Sequence, residues 1–278
     1  MKKGGAGEGG PDAAKTADRA RFKAADILLY AALPAGIIVL WWILSALKLV
    51  NPYLIPAPGK IFSAAARLLA GGELAGHIRI SLLRVWSGYL ISAGAALPLA
   101  LIFHESPPLR KIFHGIFETV RAVPPLALIP LLILWFGIGE ASKLAVIVLA
   151  TFFPVFLNAE SGFDSMDSRW LELSRSLELS FPRHLRSVLI PAALPQIITG
   201  MRLGFGYSWR ALLGAELFAS ASGLGYLITD AQAMARTDRV FVGIFTIGLL
   251  GVIFDALFRF LAARLLPASE NFSWAAHE

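Results

Sequence analysis

The chain has 278 residues, of which 56% are hydrophobic and only 16% charged, with a formal charge of +6 and no cysteine. A soluble domain carries about a quarter charged residues, so this composition, with a mean hydropathy of +0.67, excludes an ordinary soluble fold and describes an integral membrane protein. Cytoplasmic loops of membrane proteins collect Lys and Arg for topological reasons, so the positive balance is no sign of nucleic acid, and the missing cysteines exclude disulfides, zinc fingers and thiol chemistry.

Residues 1–26 are rich in Gly, Ala and Lys and read as a disordered basic tail carrying Lys2, Lys3, Lys15, Arg19, Arg21 and Lys23. No small-residue cleavage site follows a short apolar core, so the tail and first apolar run read as an uncleaved anchor. Run length alone predicts six spanning segments, at about 27–47, 83–103, 116–136, 142–160, 196–217 and 240–262, each near the roughly 20 residues that a bilayer demands. The predicted organisation is therefore the tail 1–26, a first helix with an external amphipathic segment over 27–80, a core transmembrane domain over 81–266 and a second tail over 267–278. Lys and Arg are more numerous in the segments that lie inside if both termini are cytoplasmic, which sets that orientation.

The external stretch opens Asn51-Pro52-Tyr53-Leu54-Ile55-Pro56-Ala57-Pro58, too rich in proline for a helix. Residues 59–70 follow as a surface-lying amphipathic helix. The second segment carries Gly88, Ser92, Ala96 and Ala100 at steps of four, and the fifth carries Gly200, Gly204 and Ser208. Small-residue ladders of this kind let helix backbones approach closely, and internal packing is their preferred reading over a dimer face. The third segment opens with Pro124, Pro125 and Pro130. Each proline removes a backbone donor, and the freed carbonyls need protein or a wet cavity nearby, so these three are candidates for the translocation pathway.

A long polar interruption runs from Asp164 to Pro195. A connector this long inside so apolar a chain is usually functional. Asp167 or Ser168 can cap a short helix with Trp170, Leu173, Ser174 and Leu177 on one face and Arg169, Glu172 and Arg175 around the rest. Ser180 offers a second cap and Pro182 fits early in the next helix, which Pro191 and Pro195 are expected to end before the chain returns to the membrane. Further along, Arg202, Arg210, Glu216, Asp255 and Arg259 are the ionisable residues near membrane depth. Charge there is expensive and is paired or functional. Asp255 and Arg259 stand four apart and can pair, Glu216 lies near a segment end where it can snorkel or meet Arg210, and Arg210, nearest mid-segment, is the candidate for a cavity-facing cation.

The loop resembles the coupling loop of ABC-importer permeases, whose motif runs Glu-Ala-Ala, three residues, Gly, and closes with an apolar residue, x, Leu-Pro. Here it reads Glu172-Leu173-Ser174, Arg175-Ser176-Leu177, Glu178, closing with Leu194-Pro195. The alanine pair is replaced, and Glu178 stands where the motif has glycine, so the turn glycine permits must be made another way. Leu-x-Pro-x-Pro at 54–58, the run from Trp135-Phe136-Gly137 through Gly139-Glu140 to Ser142-Lys143, and Ser222-Gly223-Leu224-Gly225-Tyr226-Leu227 are similar to the sulfonate/taurine/nitrate group of these permeases. The resemblance covers about residues 50–266 and implies an all-α membrane protein with the type I ABC importer permease fold, about six transmembrane helices and a cytoplasmic coupling helix within 161–195. It further implies a homodimer in the bacterial inner membrane, lipid around it, ATP-binding cassette ATPase subunits docked on Trp170, Glu172, Leu173, Ser174, Arg175, Leu177, Glu178 and Pro195, and an external or periplasmic solute-binding protein.

Chemistry of the chain's own is not found. The five histidines have no metal-ligand spacing and no nucleophile elbow appears. Gly59-Lys60 is followed by Ile61 and is no phosphate-binding loop. No catalytic residue, metal or cofactor is therefore assigned, and ATP with Mg2+ belongs to a separate ATPase chain. The function expected is uptake of a small, anionic solute by alternating access. A thiamine-precursor-like or riboflavin-like substrate is the alternative within the class, and an ATP-independent secondary transporter the alternative outside it, although neither internal repeats nor an acid relay supports the latter.

Overall fold

The structure is a computed structural model, and it describes residues 32–265 other than Ser168, Trp170, Leu171, Leu173 and Arg175. All regular elements among the described residues are helical. The chain divides into two compact units, Met1–Phe62 and Ser63–Glu278. The first contains α1 (Ala32–Ala46), a short apolar helix that exposes Leu33, Ile37 and Trp42. Residues 27–31 of the expected first span lie outside the described residues. The boundary between units falls inside α2 (Pro58–Ala70), the amphipathic helix expected over 59–70.

The second unit is a bundle of α3 (Glu73–Glu105), α4 (Pro107–Arg121), α5 (Ile129–Phe136), α6 (Glu140–Asp164), α7 (Ile190–Ala219), α8 (Leu224–Ala233) and α9 (Thr237–Leu265). Four helical runs are long and apolar enough to cross a membrane: α3, α6, the run from Phe181 through α7 and α8, and α9. The expected span at 116–136 is corrected. It is two pieces, Pro107–Arg121 and Pro125–Phe136, bent by 81°. Pro124 is extended, at φ −62° and ψ 125°, and Pro125 opens a 3-10 turn (Pro125–Leu128) ahead of α5. A residue before proline is pushed out of the helical region, and proline has no donor to continue a helix. All three prolines sit outside a helix or in a first turn, so none breaks an interior hydrogen bond.

α6 is the central helix, packed on α7 and on α3. The small-residue ladders make these contacts. A Cβ on Gly88 would stand 2.6 Å from Ile147 Cγ2, and one on Gly200 2.6 Å from Asn158 Cβ. Ser92 Oγ donates to the Val148 carbonyl at 2.9 Å, and Ala96 and Ala100 are fully buried. Side chains also bond back along the helices: the Asn158 amide donates to the Pro154 carbonyl and Thr199 Oγ1 to the Pro195 carbonyl, each at 2.8 Å. Aromatic rings fill the two places where three helices meet. Phe103, Phe117, Phe152 and Phe156 join α3, α4 and α6, while Trp86, Tyr89, Phe205 and Phe254 join α3, α7 and α9.

The ladder makes a positional prediction. Gly88→Val forces α3 from α6 and destabilises the bundle by about 1–3 kcal/mol, whereas Gly94→Val, where an added Cβ meets nothing within 4 Å, carries the same propensity change without the clash. Melting of the two variants in mild detergent is the measurement, and equal melting temperatures would refute the packing role.

Candidate functional site

The loop after α6 contains the short helix that the sequence predicts. Asp167 Oδ1 accepts the Arg169 N–H at 2.9 Å, so Asp167 supplies the cap. Arg169, Glu172, Ser174 and Ser176 are helical, and Ser176 Oγ donates to the Glu172 carbonyl at 2.9 Å. Glu172 and Leu177 are exposed and Ser174 is buried. Trp170, Leu173 and Arg175 lie outside the described residues.

Two expectations about this loop are corrected. Glu178 does not make its turn by another route: its φ is +48°, the left-handed region a glycine would use. The Leu179 N–H reaches back five residues to the Ser174 carbonyl at 3.2 Å, the bond that closes a helix behind a left-handed residue. A non-glycine residue in that region is strained by about 1–2 kcal/mol. Secondly, Pro191 and Pro195 do not end the second helix. Ser180 stands at its N-cap position without a side-chain capping bond, Pro182 follows in the first turn, and the helix Phe181–His184 runs through a π-turn, Leu185–Leu189, into α7. Pro191 falls in the first turn of α7, and Pro195, half-buried, lies inside it.

The loop's root is tied to α3 and α4. Arg110 reaches Glu160 at 2.9 Å and Asp164 at 2.6 Å, and Asp164 also meets His104 Nδ1 at 2.9 Å.

A second charged cluster lies at the other end of the bundle, and sequence reasoning missed its centre. Arg84 on α3 is 5% exposed. Its Nε and Nη2 donate to the two Glu140 oxygens, both at 2.6 Å, a bidentate pair of the strong kind. Nη1 donates to Glu216 Oε1 at 2.8 Å and to the Ser222 carbonyl at 2.6 Å, and Nη2 donates to Ser222 Oγ at 3.0 Å. Glu216 is fully buried, so neither snorkelling nor pairing with Arg210 describes it. Ser81 Oγ lies 2.8 Å from Glu216 Oε1, and Glu216 Oε2 accepts the Gly225 N–H at 2.9 Å. Lys143 Nζ meets Glu140 at 2.9 Å. Gly223, at φ +109°, is where the chain wraps the carboxylate, and a Cβ there would stand 2.2 Å from Glu216 Oε1. The stretches around Gly139-Glu140 and Ser222-Gly223-Leu224-Gly225 thus meet at one point in space. The available signal for Arg84 was a lone cation at the second position of the expected span at 83–103. It was lost because a cation at a span's edge can reach water, whereas α3 begins ten residues earlier and carries Arg84 into the bundle.

The remaining charges near membrane depth divide differently. Asp255 bonds Arg259 at 3.3 Å, as expected, and Arg202 at 2.8 Å as well. Arg210 is exposed, with its guanidinium carbon 5.7 Å from the centre of the Tyr207 ring. One turn below, a groove of about 370 Å³ opens between the α4–α5 bend, α6 and α7. Pro125 and Tyr207 line it; Pro124 and Pro130 are exposed nearby along the chain.

Two predictions test this geometry. Arg84→Gln leaves Glu216 buried without its cation and destabilises by about 3–5 kcal/mol. Adding Glu216→Gln removes the orphaned charge and recovers much of the loss, read as melting temperature in detergent; additive losses would refute the pairing. Glu178→Gly relieves the left-handed strain and stabilises the loop by about 1 kcal/mol, read as slower amide exchange over 172–179, while Glu178→Ala gives no gain.

Comparisons with known proteins agree with this architecture. The family model for the binding-protein-dependent transport system inner membrane component matches residues 88–267. A Bacillus subtilis protein named as an aliphatic sulfonates transport permease is 38% identical over 84% of this chain and 85% of its own length. The taurine transport system permease protein of Escherichia coli is 34% identical over 84% and 86%, and the nitrate import permease protein of Leptolyngbya laminosa is 32% identical over 70% of each. The fold is shared with a chain of the inward-facing MetNI methionine ABC transporter, at a TM-score of 0.56 and 17% identity over 69% of this chain and 94% of that one. An amino acid ABC transporter solved with histidines gives a TM-score of 0.56 at 18% identity, over 71% and 94%. The chain belongs to the family of binding-protein-dependent transport system inner membrane components.

Proposed function

We propose that this chain is the permease subunit of an ATP-driven importer that moves a small anion of the sulfonate, taurine or nitrate kind across the cytoplasmic membrane. The observation that carries the reading is the capped helix between Asp167 and Glu178, held beyond the end of α6 with Glu172 and Leu177 exposed. Family membership and the names of the relatives support it, and they favour these anions over a thiamine-precursor-like or riboflavin-like solute.

In this reading both termini and the capped helix are cytoplasmic, and the Arg84 cluster lies towards the external face. Two copies of the chain form the pathway within the lipid. ATPase subunits, which hold ATP and Mg2+, dock on the capped helices through Glu172 and Leu177, with Trp170, Leu173 and Arg175 of the same segment completing the surface. A solute-binding protein delivers the anion from outside. ATP binding draws the two docked helices together. The pull passes into α6 at Asp164 and into α7 through the turn at Glu178. Arg110 carries it to α4, and the Arg84 pairs keep the far ends of α3, α6 and α7 together while the opposite ends move. Arg210 and Tyr207 offer the anion a cation on the pathway face, beside the bend at Pro124 and Pro125. Pro130 begins α5 just after it.

Purification of the tagged chain in mild detergent is expected to bring down an ATPase in equal copy number, and the pair in liposomes with the binding protein is expected to show ATP-dependent uptake. Glu172→Lys is expected to lower uptake and solute-stimulated ATP hydrolysis by about tenfold while leaving insertion intact. Uptake by the chain alone, without ATP, would overturn the proposal.

A further inference from the structure

One face of α3 carries a single cation among apolar side chains. Ala75, Ile78, Arg79, Leu82, Leu83 and Trp86 fall at i, i+3, i+4, i+7, i+8 and i+11, the spacing of one helix stripe. With Leu69 of α2 they line a groove of about 380 Å³. Leu69, Arg79 and Leu83 are exposed, and Trp86 is half-buried against the Phe205 and Phe254 rings. Other cations in this half of the bundle meet carboxylates: Arg67 meets Asp238 at 3.8 Å, Arg239 meets Glu73 at 3.1 Å, and Arg84 and Lys143 share Glu140. Arg79 has no ion pair or hydrogen bond among the described residues, and no Asp or Glu is among the residues that line the groove.

Depth gives the second observation. α3 has 33 residues and the hydrocarbon needs about 20, so the ends of α3 stand outside it. The span expected at 83–103 opens at Leu83, and Arg79 stands about 6 Å beyond that edge along the helix. The headgroup layer is about 5–7 Å deep on each side. Arg79 is therefore at the level of the phosphates, while Leu83 and Trp86 are at the top of the acyl chains.

We infer that this groove is a binding site for an anionic phospholipid, with the phosphate on Arg79 and the upper part of one acyl chain along Ile78, Leu82, Leu83 and Trp86. The inference needs only that α3 spans the membrane and is independent of the solute and of ATP. A guanidinium presents a planar fork of donors that matches two phosphate oxygens. In a zwitterionic lipid the headgroup's own ammonium competes for those oxygens, whereas phosphatidylglycerol brings an uncompensated charge. A soluble phosphate would meet the cation and leave the stripe bare, forgoing the gain from apolar burial. A protein partner would have to supply an anion at headgroup depth, where every phospholipid already carries one.

The absence of cysteine from the chain makes the test direct. Leu83→Cys in the full-length chain carries a bimane label in the groove, and its quenching is read in liposomes that mix phosphatidylglycerol and phosphatidylcholine, with bromine on the acyl chains of one or the other. Brominated phosphatidylglycerol is expected to quench as if enriched about fivefold at the label over its share of the bilayer. Arg79→Gln should bring quenching down to the bulk share, and Arg79→Lys should keep part of the preference. Label at Leu90→Cys, also exposed on α3 and outside the groove, should follow the bulk share throughout. Millimolar glycerol 1-phosphate in the buffer should leave the preference intact. Quenching that follows the bulk share at Leu83→Cys, or a preference that survives Arg79→Gln, overturns the inference. Loss of the preference to soluble glycerol phosphate also overturns it, since the ligand would then be a free phosphate. So does a disulfide between two unlabelled Leu83→Cys chains, or no quenching by either lipid, since protein would then cover the groove.

Discussion

A guanidinium taken out of water between carboxylates from two other helices sets the terms for the rest of this bundle. Buried ions are tolerated only when the geometry is good and the remaining donors and lone pairs are used. Around Arg84 they are: Glu140 takes two bonds, Glu216 one, and the Ser222 backbone and hydroxyl take the rest. To place those partners, the chain must leave α7, fold back over the Glu216 carboxylate at Gly223, and start α8 so that the Gly225 N–H points at it. α6 must begin beside α3, so α5 ends at Gly137, whose φ of +77° lies in the region that favours glycine, and α6 starts at Glu140. A run of sequence whose purpose is opaque locally is explained by one charge 132 positions earlier.

The two ends of the bundle are built differently. At one, Arg84, Glu216 and Lys143 are buried, and Glu140 alone of the four reaches solvent. At the other, Arg110, Glu160, Asp164 and His104 are bonded, and Arg110 and Asp164, which join the loop's root to α4, are 42% and 35% exposed. Exposed ion pairs contribute little and exchange readily with water, whereas breaking a buried one is severe. The bundle is therefore stiff where Arg84 sits and yielding where the capped helix is attached. That gradient suits a machine worked from its yielding end.

Much of this was legible because it is local. The long apolar stretches became α3, α6, α7 and α9, with only their ends misjudged. The capped helix could be read from Asp167 and the spacing behind it, and the small-residue ladders from their steps of four. What the sequence left unread depends on contacts between distant positions. The pairing of Arg84 with Glu216 leaves no trace in either neighbourhood, and Glu216 read alone looked like a residue reaching for water. The prolines at 124 and 125 announced a break, but the 81° angle reflects what α4 and α5 each pack against, not the dipeptide. Glu178 is a subtler case. Its residue type argued against a left-handed turn, and the turn formed nonetheless because the helix behind it and the Leu179 bond fix the geometry.

The π-turn at Leu185–Leu189 has a consequence for how such chains can change over time. It amounts to one residue more than an α-helix needs, and each residue turns a helix by about 100°. Everything on the loop side of it is thereby set at a different azimuth from everything in α7. Losing a single codon there would convert the wide turn to an ordinary one and swing the capped helix around the α7 axis, although no residue of that helix had changed. Point substitutions change the surface of that helix; only an insertion or deletion at this turn re-aims it. Relatives in which this helix points another way are expected to differ in length at this place, while the sequence on either side stays alignable.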